Sequence, residues 1–454
     1  MPSRPNEAAF REDILMIRRR SLLAASAGVL AAPALVEKVG AQSAFDWKQF
    51  KGSKIEVNYA KSPRADVLQA HEKEFEELTG IKVGSEQIPE QQQRPKVMME
   101  MTAGRPSFDV VNVALHVQKK QIEKGHWMED LRPMLKDPKL TAADYDFGDF
   151  GGPGIAAATA PDGLLHTIPL NQDLFILFYN KALFAAKGLK VPATYDEMMD
   201  SAHKLTDKTA GVYGFVGRGL KNANLPLYTS FLLGYNQETI SKDGKTLLMD
   251  TPDAIAAAAY YAKLMRETAP PGVVGFNWNE SQTTFSQGRA AMWLDGVGFS
   301  APLVDKTKSK VAETAGFAVL PAGSKGRYTP TFVDGIGIAR GSKNKGAAWL
   351  YTQWATTKAM CLEMLRTGSG TPARASSYEN EGVKKASPFP AEWFETVNAS
   401  LKIARSGLPE IVAVTEFRDV FGIALTNTIG GADPATELKK ATEAFKPILA
   451  KELT

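Results

Sequence analysis

The chain has 454 residues, 54 Lys and Arg against 50 Asp and Glu, and one cysteine. A formal net charge of +4 over that length lacks the concentrated basic surface that nucleic acid demands, so nucleic acid is excluded as the partner. A single thiol excludes an intramolecular disulfide or a cysteine metal cluster, and the length suits two cores better than one.

The first forty residues read as an export signal. Arg18, Arg19 and Arg20 precede Ser21-Leu22-Leu23, and an apolar stretch of roughly fifteen residues follows, too short to span a bilayer. Val39-Gly40-Ala41 offers small residues for cleavage, so residues 1–41 are expected to be a signal peptide cut after Ala41. The consecutive arginines resemble a twin-arginine signal, and Met16 just ahead of them suggests an alternative start. No cysteine follows the apolar stretch, which argues against a lipid anchor.

Beyond the signal, Ile55, Val57 and Tyr59 alternate as on a short strand. Leu68, His71, Phe75 and Leu78 recur at helical spacing up to Gly80, a C-terminal stop. A strand at Ile81–Val83 follows, then a helix carrying Val97, Met98 and Met101 that stops at Gly104. Asp109–Val113 reads as a strand buried on both faces. This alternation predicts a parallel sheet wrapped by helices. A second unit starts near 168: Leu174–Tyr179 is apolar and aromatic, and Thr194 with Glu197 predicts a capping box. Thr251-Pro252-Asp253 opens a helix that Ala269-Pro270-Pro271-Gly272 closes. Cys361 falls in a helical run (359–365) and reads as a buried filler. The fold class is therefore α/β, two lobes with a cleft between them and ligands beyond the carboxyl ends of the strands.

Four stretches carry a family resemblance. They are Lys54–Tyr59 with Phe75–Val83; Pro106–Val111; Ile168-Pro169-Leu170-Asn171-Gln172-Asp173 with Tyr179-Asn180-Lys181; and Phe285-Ser286-Gln287-Gly288-Arg289-Ala290-Ala291-Met292. In this order the chain resembles the extracellular solute-binding proteins of the maltose-binding type. The resemblance implies two lobes joined by three crossings, expected near Ile168-Pro169, Ala318-Val319 and Trp354–Thr357. It divides the chain into residues 42–168 with 317–355 as one lobe and 169–316 with 356–454 as the other. It also implies a periplasmic protein that closes on its solute, delivers it to the permease of an ABC importer, and acts as a monomer without cofactor or metal.

Binding a sugar or polyol needs Asp, Asn, Gln or Arg for hydroxyls and an aromatic plate for C–H faces. Asp173 is the leading candidate: it follows a crossing and starts an apolar strand where a carboxylate needs a partner. Asn171 and Gln172 flank it. Trp278 sits in the polar run Asn277-Trp278-Asn279-Glu280 and is the expected stacking plate. Alternation puts Trp293 and Asp295 on one strand face, with Asp295 facing the cleft and Trp293 there or in the core. Asp334 stands before Gly335, where the family often has a turn facing the ligand; an acid there leans towards a solute without negative charge. Ser62, Arg64 and His116 follow first-lobe strands, and one glutamine of Gln91-Gln92-Gln93 is expected to point inward, with Gln92 the choice. Arg218, Arg374 and Arg418 complete the set. Arg418 stands where maltose-type relatives place an aromatic, which argues for a small solute.

Two rival readings remain. A cationic ligand such as a polyamine would use the same acids and Trp278. An exported enzyme is disfavoured, because the five histidines fall in no metal spacing and neither a phosphate loop nor a GxSxG elbow is present.

Overall fold

The computed structural model describes residues 45–452, so the signal peptide lies outside the described residues. Strand β1 (Lys54–Ala60) buries Ile55, Val57 and Tyr59 as their alternation predicts. Helix α1 (Pro63–Thr79) is capped by Ser62, which accepts from Ala65 N, and ends at Gly80 with φ 72°, a left-handed turn that suits glycine. Strand β2 (Lys82–Ile88), helix α2 (Glu90–Thr102), strand β3 (Val110–Ala114) and helix α3 (Leu115–Gly125) complete the first unit. Both β2 and β3 pair parallel to β1, so the carboxyl ends of all three point to one edge.

The chain then enters β4 (Ile168–Asn180), a strand of 13 residues. Its first half pairs antiparallel with β7 (Thr329–Ile338), from Ile168↔Ile336 to Leu174↔Thr331. Its second half pairs antiparallel with β5 (Met292–Gly296) and β6 (Ala315–Ala318). The parallel arrangement expected throughout therefore holds among β1–β3 and for the short pair that β7 makes with β8 (Ala404–Ser406). In the second unit, β4 receives the returning strands on both sides, and β5 and β6 run opposite to it. β8 adds to the start of β7.

Three hydrophobic clusters surround this framework. Ile168 and Leu170 join the first-unit core with Val333, Ile336, Trp349 and Trp354. Farther along β4 the two faces separate. Phe175, Leu177 and Tyr179 pack into one cluster with Tyr228, Phe231 and Phe421, while Leu174, Ile176 and Phe178 pack into another with Trp293 and Trp393. A strand covered on both faces explains why 174–179 is apolar at every position. On β7, Phe332 belongs to the second unit and Val333 to the first. Met360, Met364 and Ala373 still pack in the first-unit core.

The turn expected at Asp334-Gly335 is instead continuous strand. Gly335 is required for packing: a Cβ there would lie 2.3 Å from Thr167 Oγ1, and one at Gly337 would lie 2.5 Å from the His166 carbonyl. The glycines let this ribbon run flush against the preceding loop.

The caps form as their types predict, except that Glu197 reaches past the Thr194 amide and leaves the expected reciprocal box unclosed. Thr194 accepts from Glu197 N at 3.2 Å, opening α4 (Tyr195–Leu205), while the Glu197 carboxylate reaches back to Ala193 N at 2.7 Å. Thr251 opens α5 (Pro252–Thr268). Asn277 and Glu280 form a reciprocal cap for α6 (Trp278–Ser286), placing Trp278 on the first turn of a helix. Cys361 is 1% exposed, and burial pushes its thiol up to about 12, as suits an inert filler. No helix among the described residues is long and apolar enough to cross a membrane.

Candidate functional site

A cavity of about 1110 Å³ opens where the carboxyl ends of β1, β2 and β3 face the second unit across the β4–β7 ribbon. The parallel strands deliver Lys61, Ser62 and Arg64 after β1, Glu90, Gln93 and Arg94 after β2, and His116 after β3. The floor is the ribbon itself. Because Asp173 pairs with Phe332 and Asn171 with Asp334, period-two alternation places Asn171, Asp173, Phe175, Phe332 and Asp334 on one face. All five line the cavity. The opposite wall holds Arg218, Trp278, Gln282, Phe299 and, from α7 (Val414–Ile429), Arg418.

Three arginines of the wall are held in pairs with acids. Arg64 binds Asp334, and Arg94 binds Glu90 one helical turn away. Arg218 makes a two-pronged bond to Asp295, with Nε to Oδ2 at 2.9 Å, the geometry a guanidinium fork favours. Its guanidinium lies over Phe175 and Phe299, 5.5 and 5.6 Å from the ring centres.

Asp173 differs. It accepts from Gly298 N at 2.9 Å and from Leu174 N at 3.1 Å, with no ion pair. Desolvation raises its pKa to about 6; Asp295 pushes the same way, while the Gly298 amide, Arg64 and Arg218 pull it down. The carboxylate fits because residue 296 is glycine: a Cβ there would lie 2.5 Å from Asp173 Oδ2. An acid poised this way gains from any hydroxyl that donates to it.

His116 packs edge-on against Phe332, ring centres 5.4 Å apart, with Nδ1 3.5 Å from Val333 O. Desolvation, then Arg94 and Arg418, lower its pKa to about 3, so it is a neutral hydrogen-bonding ring at neutral pH. Trp278 is 37% exposed and stacks on Phe299, centres 4.8 Å apart and planes within 8°. Gln282 fixes this pair by donating to Phe299 O at 2.9 Å. One face of Trp278 is thus held and the rest is open to a solute. Trp278→Ala should reduce affinity by roughly three- to tenfold, the usual worth of a stacking ring. The same change should remove most of the ligand-induced shift in tryptophan emission, and an unaltered titration curve would exclude the stacking role.

The structure brings nine of the sequence candidates into the wall: Ser62, Arg64, His116, Asn171, Asp173, Arg218, Trp278, Asp334 and Arg418. Five lie elsewhere. Asp295, expected to face the cleft, is fully buried behind Arg218. Trp293 is in the core, stacked on Phe178 at 4.7 Å. Gln172 is buried on the other side of the ribbon, near Gly154, with neither amide atom hydrogen-bonded. Gln92 is exposed while its neighbour Gln93 turns inward, donating to Asn58 Oδ1 at 2.9 Å and Asn112 O at 3.0 Å. Arg374 is a buried staple that donates to the carbonyls of Tyr145, Asp146 and Thr356 at 2.6–2.8 Å and sits over Phe150.

Sequence reading missed Glu90, Arg94, Phe175, Phe299 and Phe332. Two of these carried a usable signal: Phe175 and Phe332 each sit two residues from a chosen acid, hence on its strand face.

The description of the bacterial extracellular solute-binding proteins matches residues 36–360. The chain belongs to this family. These are binding proteins of ABC transporters, not enzymes. The chain is similar to the erythritol/L-threitol-binding protein of Mycolicibacterium smegmatis, 28% identical over 87% of this chain and 86% of that one. It is also similar to the mannitol-binding protein of Pseudomonas aeruginosa, 24% identical over 77% of this chain and 83% of the other. Among solved structures, an ABC transporter solute-binding protein from Agrobacterium radiobacter in complex with ribitol superposes with a TM-score of 0.78, at 23% identity, over 88% of this chain and 99% of that chain. The fold is the two-lobed one of periplasmic binding proteins.

Proposed function

We propose that this protein is the periplasmic binding component of an ABC importer, capturing a sugar alcohol or sugar in the cavity over the β4–β7 ribbon and handing it to the permease. The observation that carries the reading is the wall itself. It sets an ionisable carboxylate (Asp173) and guanidinium groups held in place by their counter-ions beside an open aromatic face (Trp278), the combination that hydroxyl-rich, C–H-faced solutes need. The names of the relatives, erythritol/L-threitol- and mannitol-binding, and the ribitol complex point the same way. The cationic alternative is weakened because Asp295, Asp334 and Glu90 already hold arginines, leaving little free negative charge for a polyamine.

The lobe division is proposed with the ribbon as its hinge. The first lobe contains the chain through β1–β3 as far as Leu170 and the segment from Val333 into Met364 with Ala373, and the second is built around β5 and β6. An exported monomer is the working form.

A thermal-shift screen tests the reading. Solute at a hundredfold excess over Kd should add about 2.7 kcal/mol of stability, so one or a few polyols or monosaccharides should raise Tm by several degrees while spermidine and putrescine leave it unmoved. A shift with polyamines alone would reverse the assignment.

A further inference from the structure

Three of the four arginines in the cavity wall hold a carboxylate: Arg64, Arg94 and Arg218. Arg418 does not. Its Nε donates to Asn222 O at 3.2 Å, no ion pair to a carboxylate holds it among the described residues, and the residue lines the cavity. Its surroundings sharpen the imbalance. Burial first, then the neighbouring Arg94 and Arg218, push its pKa down to about 10 against the weaker pull of Glu90 and Asp419, so it stays charged at neutral pH. His116, in the same corner, is neutral and supplies no counter-charge. The acids that favour its charge, Glu90 and Asp419, are committed to Arg94 and to Asn222 Nδ2 and form no ion pair with it, while Asp173 acts on Arg64 and Arg218 instead.

A half-buried cation is costly unless a partner neutralises it. In an open cleft water does so, and a cleft that closes on its solute loses that water. A hydroxyl can accept a hydrogen bond from the guanidinium but leaves its charge unmatched. A carboxylate or phosphate matches both the charge and the planar fork. The acid at Asp334, which in sequence leaned towards an uncharged solute, offers no objection, since Arg64 neutralises it.

We propose that Arg418 is the seat of an oxyanion on the solute, so that the transported molecule is a polyhydroxylated chain or ring bearing one carboxylate or phosphate group. The proposal rests on the polyhydroxyl reading above and narrows it.

The test measures Kd of the purified protein by calorimetry for two matched sets: ribitol, ribonate and ribitol 5-phosphate; mannitol, mannonate and mannitol 1-phosphate. An anionic member should bind at least tenfold more tightly than its neutral parent. That preference should shrink towards parity in Arg418→Gln and weaken in the wild type as salt rises. Which anion wins separates a sugar acid from a sugar phosphate. Arg418→Lys, which keeps the charge but loses the fork, should retain part of the preference and covers the case in which the glutamine variant is unstable. Neutral parents binding as tightly as both anions would overturn the proposal and leave the polyol reading standing. An anion preference that survives Arg418→Gln would overturn it as well. If nothing in either set binds, the polyhydroxyl reading falls and takes this proposal with it.

Discussion

Replacing Asp295 by alanine is expected to lower the unfolding free energy by about 3–5 kcal/mol, the usual consequence of removing one partner from a buried ion pair. Asp295 is fully buried and Arg218 nearly so, and the carboxylate also accepts from Gly296 N at 2.8 Å. Its loss strands a guanidinium over two aromatic rings with no acceptor. Much of the deficit should return in Asp295→Ala combined with Arg218→Met, because that variant leaves no charge uncompensated. Urea unfolding of the two single variants and the double variant completes the cycle. Additive losses would mean that the pair is weaker than its geometry implies. Binding should fail in both Asp295→Ala and the rescued double variant, because Arg218 is either displaced or absent. Stability and affinity thus separate: Asp295 is a positioning residue for a wall it does not itself reach.

Asp173 should make solute binding depend on pH in a defined direction. Its carboxyl pKa is raised to about 6 by desolvation and the nearby Asp295 against the pull of the Gly298 amide, Arg64 and Arg218. For stability the sign follows from linkage. A raised carboxyl pKa means that the folded chain binds the proton more tightly than the unfolded one, so this group favours folding increasingly as pH falls from about 6 towards 4. For binding the sign is opposite. A solute hydroxyl donates to the ionised form, so affinity should be full above pH 7 and about tenfold weaker at pH 5, where some nine-tenths of the carboxyl would be protonated. Asp173→Asn should flatten the profile between pH 5 and 7, and Asp173→Ala should weaken binding at least tenfold at pH 7.5, the value of a hydrogen bond to a charged group. A flat wild-type profile for an uncharged polyol would remove Asp173 from the contacts.

How much of this was readable beforehand depended on whether the signal was local. The first unit was legible because each element satisfies itself: Ile55, Val57 and Tyr59 alternate, Phe75 and Leu68 repeat at helical spacing, and Gly80 stops the helix where a positive φ is needed. β7 was not. Thr329–Ile338 contains Pro330, Asp334, Gly335 and Gly337, which locally argue for a turn, and only its pairing with β3 and β4 makes it a strand. The antiparallel second unit was hidden for the same reason, since strand direction belongs to the partner and not to the segment. In the site, residue type was a better guide than partner. Asp173 and Trp278, chosen as polar or aromatic side chains out of place, and Arg418, chosen from the family resemblance, all line the cavity. Asp295 and Arg374 were equally out of place but answer to Arg218 and to backbone carbonyls, and nothing in a sequence separates a buried charge facing a ligand from one facing a neighbour. Gln92 missed by a single position, because one step along a helix turns a side chain by about 100°.

The ribbon of β4 and β7 bears on how the protein distinguishes a solute it holds from one it can hand over. Asp173 and Asp334 stand beside the point where both strands pass between lobes, and a point near a fulcrum travels little when the arms swing. On the proposed lobe division Trp278 and Glu90 fall on opposite arms, where the same rotation would produce a long stroke. Contacts at the floor would then be nearly equal in open and shut forms, contributing grip but no bias, whereas contacts at the lip exist only after the swing and set its equilibrium. A solute lacking groups for the lip could lodge firmly and still leave the jaws ajar, an inhibitor rather than a cargo.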